Sequence, residues 1–407
     1  MKITYNPDGS ISFGSDMKDV SSLIEFLSGG LVENKEKAFL NTLDFMSNKR
    51  PLLGQIAKVY YEYVNRHNKI KLLHQQIPLL VSDQCFDGEL YDIADIKCTY
   101  DRNFSEIKRK DVDLPTKNKN YVQNIIDHKY NGSEENSPFN NRFCYRIVNV
   151  ISPKDIQFEY CYYFDYINTC EYQFYLFAKD VIRHIKKISD NSFNVSKLKR
   201  EINPFDFTNR YLVPGINTLL IFWDKSNPIM YIHKRSKKTV AEAINVKHIV
   251  PAGTFQPIHM DDGNHGVDFS FYTNIMREFG EELTGDKELV HPKGILEDVI
   301  KRPSLVPIDH LIRIGRGKIY YAGLTFDCLT LKPEILSIMV LFREDYEKFI
   351  GPINFTESFE GDPFAVKFDK PTLEQYVLDP EMLPAGAGCL FMASENYDRI
   401  ASEMRTT

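Results

Sequence analysis

One stretch constrains this chain more than any other: VPAGTFQPIHMDDGNHGVDFSFYTNIMREFGEELTG, from Val250 to Gly285. Phe271, Ile275, Phe279 and Leu283 recur every four residues. Residues at that spacing share one face of a helix, so the pattern predicts an amphipathic helix with this stripe buried. Glu278, Glu281 and Glu282 project from its polar side, and Arg277 lies one turn before Glu281, within pairing distance. Carboxylates at helical spacing repel by about 0.2–0.5 kcal/mol per pair. A hard divalent cation such as Mg²⁺ or Mn²⁺ removes that repulsion, and such ions take oxygen ligands together with substrate phosphates. The bland alternative is a solvated acidic face.

The rest of the chain sets the context for this helix. Its 407 residues suffice for two domains. We divide it into residues 1–200, a mixed α/β domain with a helical start and an aromatic, strand-rich end, and residues 201–407; the fold class is α+β. A net charge of −6 argues against general nucleic-acid binding, which needs a basic footprint. The seven cysteines form no Cys-x-x-Cys pair and are odd in number, so a zinc ribbon or disulfide framework is not expected and a reduced cytoplasmic compartment is. The N-terminus lacks an apolar signal core, and no run of about 18 apolar residues is present, so no membrane span is expected.

Along the chain, residues 1–16 read as a hairpin around Pro7-Asp8-Gly9. Asp19 to Ile70 reads as helical, with apolar sets at Leu23/Phe26/Leu27, Phe39/Leu40/Leu43/Met46 and Ile56/Val59/Tyr60/Tyr63. Residues 101–142 turn polar and read as a flexible loop or extended excursion. Phe158, Tyr160, Tyr162, Phe164 and Tyr166 alternate at period two, which predicts a strand; the sharper alternative is an aromatic platform for a nucleobase. Strands are expected at Gly215–Phe222, Ile229–His233, Val246–Val250, Ile308–Ile314 and Lys318–Phe326. Pro333–Phe342 is open between strand and helix, Glu344–Phe349 reads as a helix, and Cys389–Met392 as the last one.

The pattern Arg-Glu-apolar-any-Glu-Glu at Arg277–Glu282 resembles the helix of the Nudix box, the metal-binding motif of Nudix hydrolases. Pro251-Ala252-Gly253 is similar to the turn that leads into that family's loop. Two positions depart from the pattern. The family's first glutamate falls at Phe269, and the glycine after the helix stands at Gly285 instead of position 284. The resemblance implies an α/β/α sandwich with a mixed sheet over residues 201–407. It also implies metal-dependent hydrolysis of a phosphoanhydride in a nucleoside diphosphate derivative or a nucleoside triphosphate. On that footing Glu281 and Glu282 are ligands, Glu278 is a ligand or the base, Arg277 orients the glutamates, and the Gly253 carbonyl completes the shell. Asp261, Asp262 and Asp268 are substitutes for the missing acid, His259 and His265 a softer alternative, and Glu357, Glu360 and Asp362 a distal acid. Arg235, Arg313 and Arg316 are candidate phosphate contacts. The partner is a nucleotide-type small molecule, and a homodimer accords with the family. Phe269 and the displaced glycine support a second reading, a nucleotide-binding sensor that has lost turnover. By analogy alone, either form suits a bacterial regulatory or anti-phage defence protein.

Overall fold

The structure is a computed structural model that describes residues 3–6, 9–13, 34–65, 70–107, 114–185, 192–200, 202–235, 246–258, 266–286, 298–353, 355 and 361–406. Strands β1 (Ile3–Tyr5) and β2 (Ser10–Phe13) form the expected hairpin. Helices α1 (Lys35–Asn48) and α2 (Arg50–Asn65) follow; of the second and third predicted apolar sets they bury Phe39, Leu43, Met46, Ile56, Val59 and Tyr60 and leave Leu40 and Tyr63 half-buried. The first set, Leu23/Phe26/Leu27, lies outside the described residues. Next come β3 (Lys71–His74), β4 (Ile77–Val81), β5 (Tyr91–Asp92) and β6 (Lys97–Tyr100).

The polar stretch 101–142 is not a plain loop: it contains helix α3 (Tyr121–Lys129). Asn120 and Gln123 cap it reciprocally, which satisfies two backbone donors at its start. Strands β7 (Phe143–Ser152) and β8 (Asp155–Tyr162) pair antiparallel, and β6 adds to β8 in parallel. The predicted aromatic strand stops at Tyr162. The Asp165 carboxylate accepts the Tyr162 N–H at 3.1 Å and starts helix α4 (Tyr163–Tyr166), so Phe164 and Tyr166 are helical. A π-helical turn, Ile167–Glu171, leads into α5 (Tyr172–Ile185), and β9 (Ser192–Asn194) closes a small sheet on β2. Phe104 lies over Tyr160 and Tyr211, so the chain's own rings cover the proposed aromatic platform.

The large sheet is mixed. It is built from β10 (Gly215–Trp223), β11 (Ile229–Arg235), β12 (Lys247–Ile249), β13 (Ala252–Thr254), β14 (Gly317–Asp327), β15 (Pro333–Phe342) and β16 (Gly361–Lys367), and β3, β4 and β5 join it. Its path runs β12-β11-β10-β15-β14-β4-β3, with β10 and β15 parallel at the centre. Strands therefore come from both sides of residue 200.

Both faces of this sheet are covered. Ile216, Leu220, Phe222, Ile335, Met339 and Leu341 enter one core, which Phe271, Ile275, Phe279 and Leu283 complete. Leu219, Ile221, Trp223, Leu336, Ile338 and Val340 enter the other, with Leu373, Leu390 and Ile400 of the C-terminal helices. Double coverage explains why GINTLLIFW and PEILSIMVLF are nearly unbroken apolar runs.

Helix α6 (Phe271–Phe279) continues as a π-helical turn, Gly280–Thr284. The predicted strand Ile308–Ile314 is instead helix α7 (Val306–Arg313). Pro307 fits a first helical turn, and Ile308 and Leu311 are buried one turn apart. Helix α8 (Arg343–Phe349) matches expectation. Helix α9 (Lys370–Val377) precedes α10 (Pro384–Glu395), which holds Cys389–Met392 but is followed by one more helix, α11 (Tyr397–Thr406). No helix among the described residues is long and apolar enough to cross a membrane.

Candidate functional site

The site is assembled where α6 meets β13. Ser270 caps the helix by accepting the Thr273 N–H. Gly285, at φ 75°, ends it in the left-handed conformation that glycine adopts without strain. The glycine one position later than in the Nudix pattern thus serves a terminus extended by the π-helical turn.

Arg277 is buried and donates to the Gln256 carbonyl at 3.0 Å, the Thr254 carbonyl at 3.3 Å and Asn274 Oδ1 at 3.1 Å. It meets Glu278 Oε1 at 2.5 Å. Burial works against its charge, but Glu278 and then Glu281 outweigh that effect and hold the guanidinium pKa above its usual value. Arg277 therefore fastens the helix to the strand beside it and orients Glu278.

Glu278 and Glu282 both reach β13. Glu282 is buried and accepts the Ala252 N–H at 2.9 Å. The Glu278 carboxylate packs directly on Gly253; an added Cβ there would lie 2.5 Å from Oε2 and closer still to the carboxyl carbon. Glycine leaves this carboxylate its present place; a larger residue would displace it. Glu281 is half-buried.

The other sequence candidates are distributed differently. Phe269, where the family places a glutamate, stacks on Tyr100 at 5.0 Å and packs among Tyr145, Phe158 and Phe255. That position belongs to the seam between α6 and the β6-β8-β7 sheet. Asp268 accepts from Tyr145 Oη at 3.0 Å and from the Ile258 N–H at 2.7 Å, so it ties the end of the 255–258 segment to β7. Arg313 pairs with Asp309, and Arg316 pairs with Asp345 while lying over Phe342. Phe342 aligns with Trp223 at the far end of β10, whereas Gly253 aligns with Ile216 near its start. At about 3.3 Å per residue the two places are roughly 20 Å apart, so Arg316 is not brought to the glutamates. Arg313 meets α6 only at its start, where its partner Asp309 accepts from Tyr272 Oη at 2.7 Å. Arg235 lies on β11, with its side chain outside the described residues, as is that of Asp362. His259, Asp261, Asp262, His265, Glu357 and Glu360 lie outside them altogether.

Residues 252–254 also wall a cleft of ≈ 260 Å³ at the start of β10 and β15. Asn217, His248 and Glu334 form a polar chain in its wall. Asn217 donates to Glu334 Oε2 at 2.8 Å, and its Oδ1 lies 3.0 Å from His248 Nε2. Burial raises the Glu334 pKa, against the opposing influence of Lys332 and the Asn217 hydrogen bond. Lys332 lies 3.7 Å from Glu334 and faces the Tyr166 ring, and Arg50, Tyr163 and Tyr166 bring residues of the N-terminal half into the lining. Of these, sequence reasoning had singled out Tyr166 alone, as part of a possible aromatic platform. They are separated by up to 280 residues, and no local spacing signals that they meet.

The donors around β13 are carboxylate and backbone oxygens, the chemistry that suits Mg²⁺ or Mn²⁺. Among the described residues no group of three or more His, Cys, Asp or Glu side chains is gathered to hold a metal ion. The fit is therefore to an ion held by one or two carboxylates, with substrate phosphate and water filling its shell, which is the usual manner of Mg²⁺. No protein-family model matches the chain, and no curated protein matches it.

Proposed function

We propose that the chain is a Nudix-type hydrolase that cleaves a phosphoanhydride in a nucleoside diphosphate derivative or a nucleoside triphosphate. One observation carries this reading: Glu278 and Glu282 of the acidic helix grip the same three-residue strand, Ala252–Thr254, that walls a polar cleft. Glu281 and Glu282 would hold Mg²⁺ or Mn²⁺ with the Gly253 carbonyl, and Glu278 would serve as a further ligand or as the base. When bound, the ion lowers the pKa of water and neutralises phosphate charge. In the second role Glu278, oriented by Arg277, would accept the proton of the attacking water. The water oxygen bonds to phosphorus, the bridging P–O bond breaks, and the departing phosphate keeps the electron pair. Glu282, fixed on the Ala252 N–H, keeps helix and strand in register during this step.

The test is Mg²⁺-dependent release of a nucleoside monophosphate from a set of nucleoside diphosphate compounds, followed by mass spectrometry. Glu278→Gln and Glu281→Gln should each abolish it. Wild-type turnover in both variants would overturn the assignment.

A second reading, nucleotide binding without turnover, is favoured by one observation: Phe269 places an aromatic ring within the seam where the family has an acid. Binding of ADP-ribose with no product formed over any metal concentration would select it.

A further inference from the structure

Three helices of the N-terminal half meet around a void. Leu43 and Met46 on α1, Tyr121 and Ile125 on α3, and Glu171 and Phe174 at the entry to α5 stand three or four residues apart, so each helix turns one stripe toward it. The void measures ≈ 80 Å³. Protein interiors are packed closely enough that few voids exceed a water molecule, so a space of this size is a departure. Its mouth is made by exposed Ser47 and Lys129 and by the segment after α3. Asn131 at φ 53° and Gly132 at φ 75° turn that segment back, and Pro138 and Phe139 return to the rim. The Phe139 ring stands edge-on to Tyr130 at 6.3 Å.

The lining divides into neutral walls and engaged charges. Leu43, Met46, Ile125 and Ile167 offer no hydrogen-bonding side-chain group, and a water needs about two to four polar partners to be held in a cavity. Each charged group of the lining is turned to a partner of its own. The Arg50 guanidinium lies over the Phe174 ring at 5.2 Å, the Lys129 ammonium lies over the Tyr130 ring at 6.0 Å, and Glu171 accepts the Tyr166 hydroxyl at 3.1 Å. A charged ligand finds its counter-charge only by breaking one of these contacts, whereas a neutral one breaks none. Tyr121, Tyr130, Phe139 and Phe174 present rings, and aromatic pairs settle offset or edge-to-face with centroids about 4.5–7 Å apart. An engineered apolar cavity of about 150 Å³ encloses a whole benzene. At about half that volume, with an open mouth, this one takes a single ring and leaves its substituent at the rim.

We propose that this cavity binds a neutral molecule of one aromatic ring, inserted among Tyr121, Tyr130, Phe139 and Phe174, and that binding replaces poorly held water by ring contacts. The site lies wholly within the N-terminal half. It stands apart from the hydrolase reading, and no nucleotide enters its test.

The experiment uses the full chain and titration calorimetry with toluene, checked by saturation-transfer NMR. Wild type should bind toluene saturably. Benzoate and benzylammonium, the same ring with a charge of either sign, should bind at least tenfold more weakly. Ser47→Trp sets a bulky side chain at the exposed mouth, and Ile125→Phe fills the floor; each should weaken toluene binding at least tenfold. Phe139→Ala, which removes one wall, should weaken it at least threefold. Circular dichroism and urea unfolding establish that each variant is folded. Ser47→Trp decides the matter if the interior change unfolds the chain, because position 47 is exposed. No saturable toluene binding by wild type, equal affinity for either charged analogue, or affinity within twofold of wild type in all folded variants overturns the proposal.

Discussion

Gly253→Ala isolates the contact on which the acidic helix depends. The new methyl would fall on the Glu278 carboxylate, well inside the roughly 3.5–4.0 Å at which carbon atoms rest. Glu278 must then leave Arg277, which it now meets at 2.5 Å. Losing a hydrogen bond between charged groups costs about 1.5–3 kcal/mol. Because the carboxylate ends a flexible side chain and can swing aside, the variant should lose about 1.5–3 kcal/mol of stability, the worth of that charged hydrogen bond. Urea unfolding with an unchanged slope would measure it. The decisive comparison is the double variant with Glu278→Ala, which removes the group the methyl strikes. The two changes should be non-additive, with the double variant about 1–3 kcal/mol more stable than the sum predicts. A loss under about 0.5 kcal/mol in Gly253→Ala, or strict additivity, would refute the packing of Glu278 on β13.

Three further outcomes follow from the structure. Phe269→Glu, which puts a glutamate at the position where the Nudix pattern has one, should lower stability by about 2–4 kcal/mol and yield no hydrolysis beyond wild type, because it places a carboxylate among Tyr100, Tyr145, Phe158 and Phe255; a gain in activity at unchanged urea midpoint would contradict this. Arg200→Ala should cost about 3–5 kcal/mol by orphaning the buried carbonyls of Cys328 and Leu329, read as a shift in urea midpoint. Burial alone would raise the pKa of Glu403, but Lys318, Tyr320 and Arg399 outweigh it and hold the carboxyl near 2, below its ordinary 4.5. Its stabilisation is therefore present above pH 4.5 and lost as the pH falls toward 2, so thermal unfolding of Glu403→Gln should differ from wild type at pH 7 and converge with it at the acid end.

The elements that local spacing defines were legible in the sequence. Phe271, Ile275, Phe279 and Leu283 read as a buried stripe, and all four are buried. The apolar runs of β10, β14 and β15 read as strands or left that option open. The segment Ile308–Ile314 misled because its isoleucines favour strands, while Pro307 and the turn-spaced pair Ile308 and Leu311 were the better signals. The polar stretch hid α3, although Asn120 and Gln123 stand at capping-box spacing. The site was half legible. Arg277 and its three glutamates sit within six residues, but the cleft beside them needs Arg50, Tyr163, Asn217 and Lys332, which only tertiary pairing brings together. Nor could spacing reveal that Phe269 belongs to an aromatic seam, since its ring partners come from four separate segments.

The β3–β4 hairpin carries a consequence for synthesis. Its inner strand finds its neighbour at Phe326 and Asp327, so Leu80 is made 246 residues and Leu79 248 residues before its partner. Throughout that interval a nascent chain shows a bare apolar ribbon edge, the kind that recruits foreign strands. Ribosome-bound chains halted before residue 317 should therefore hold chaperones, and chains released past residue 342, where β14 and β15 exist, should let them go.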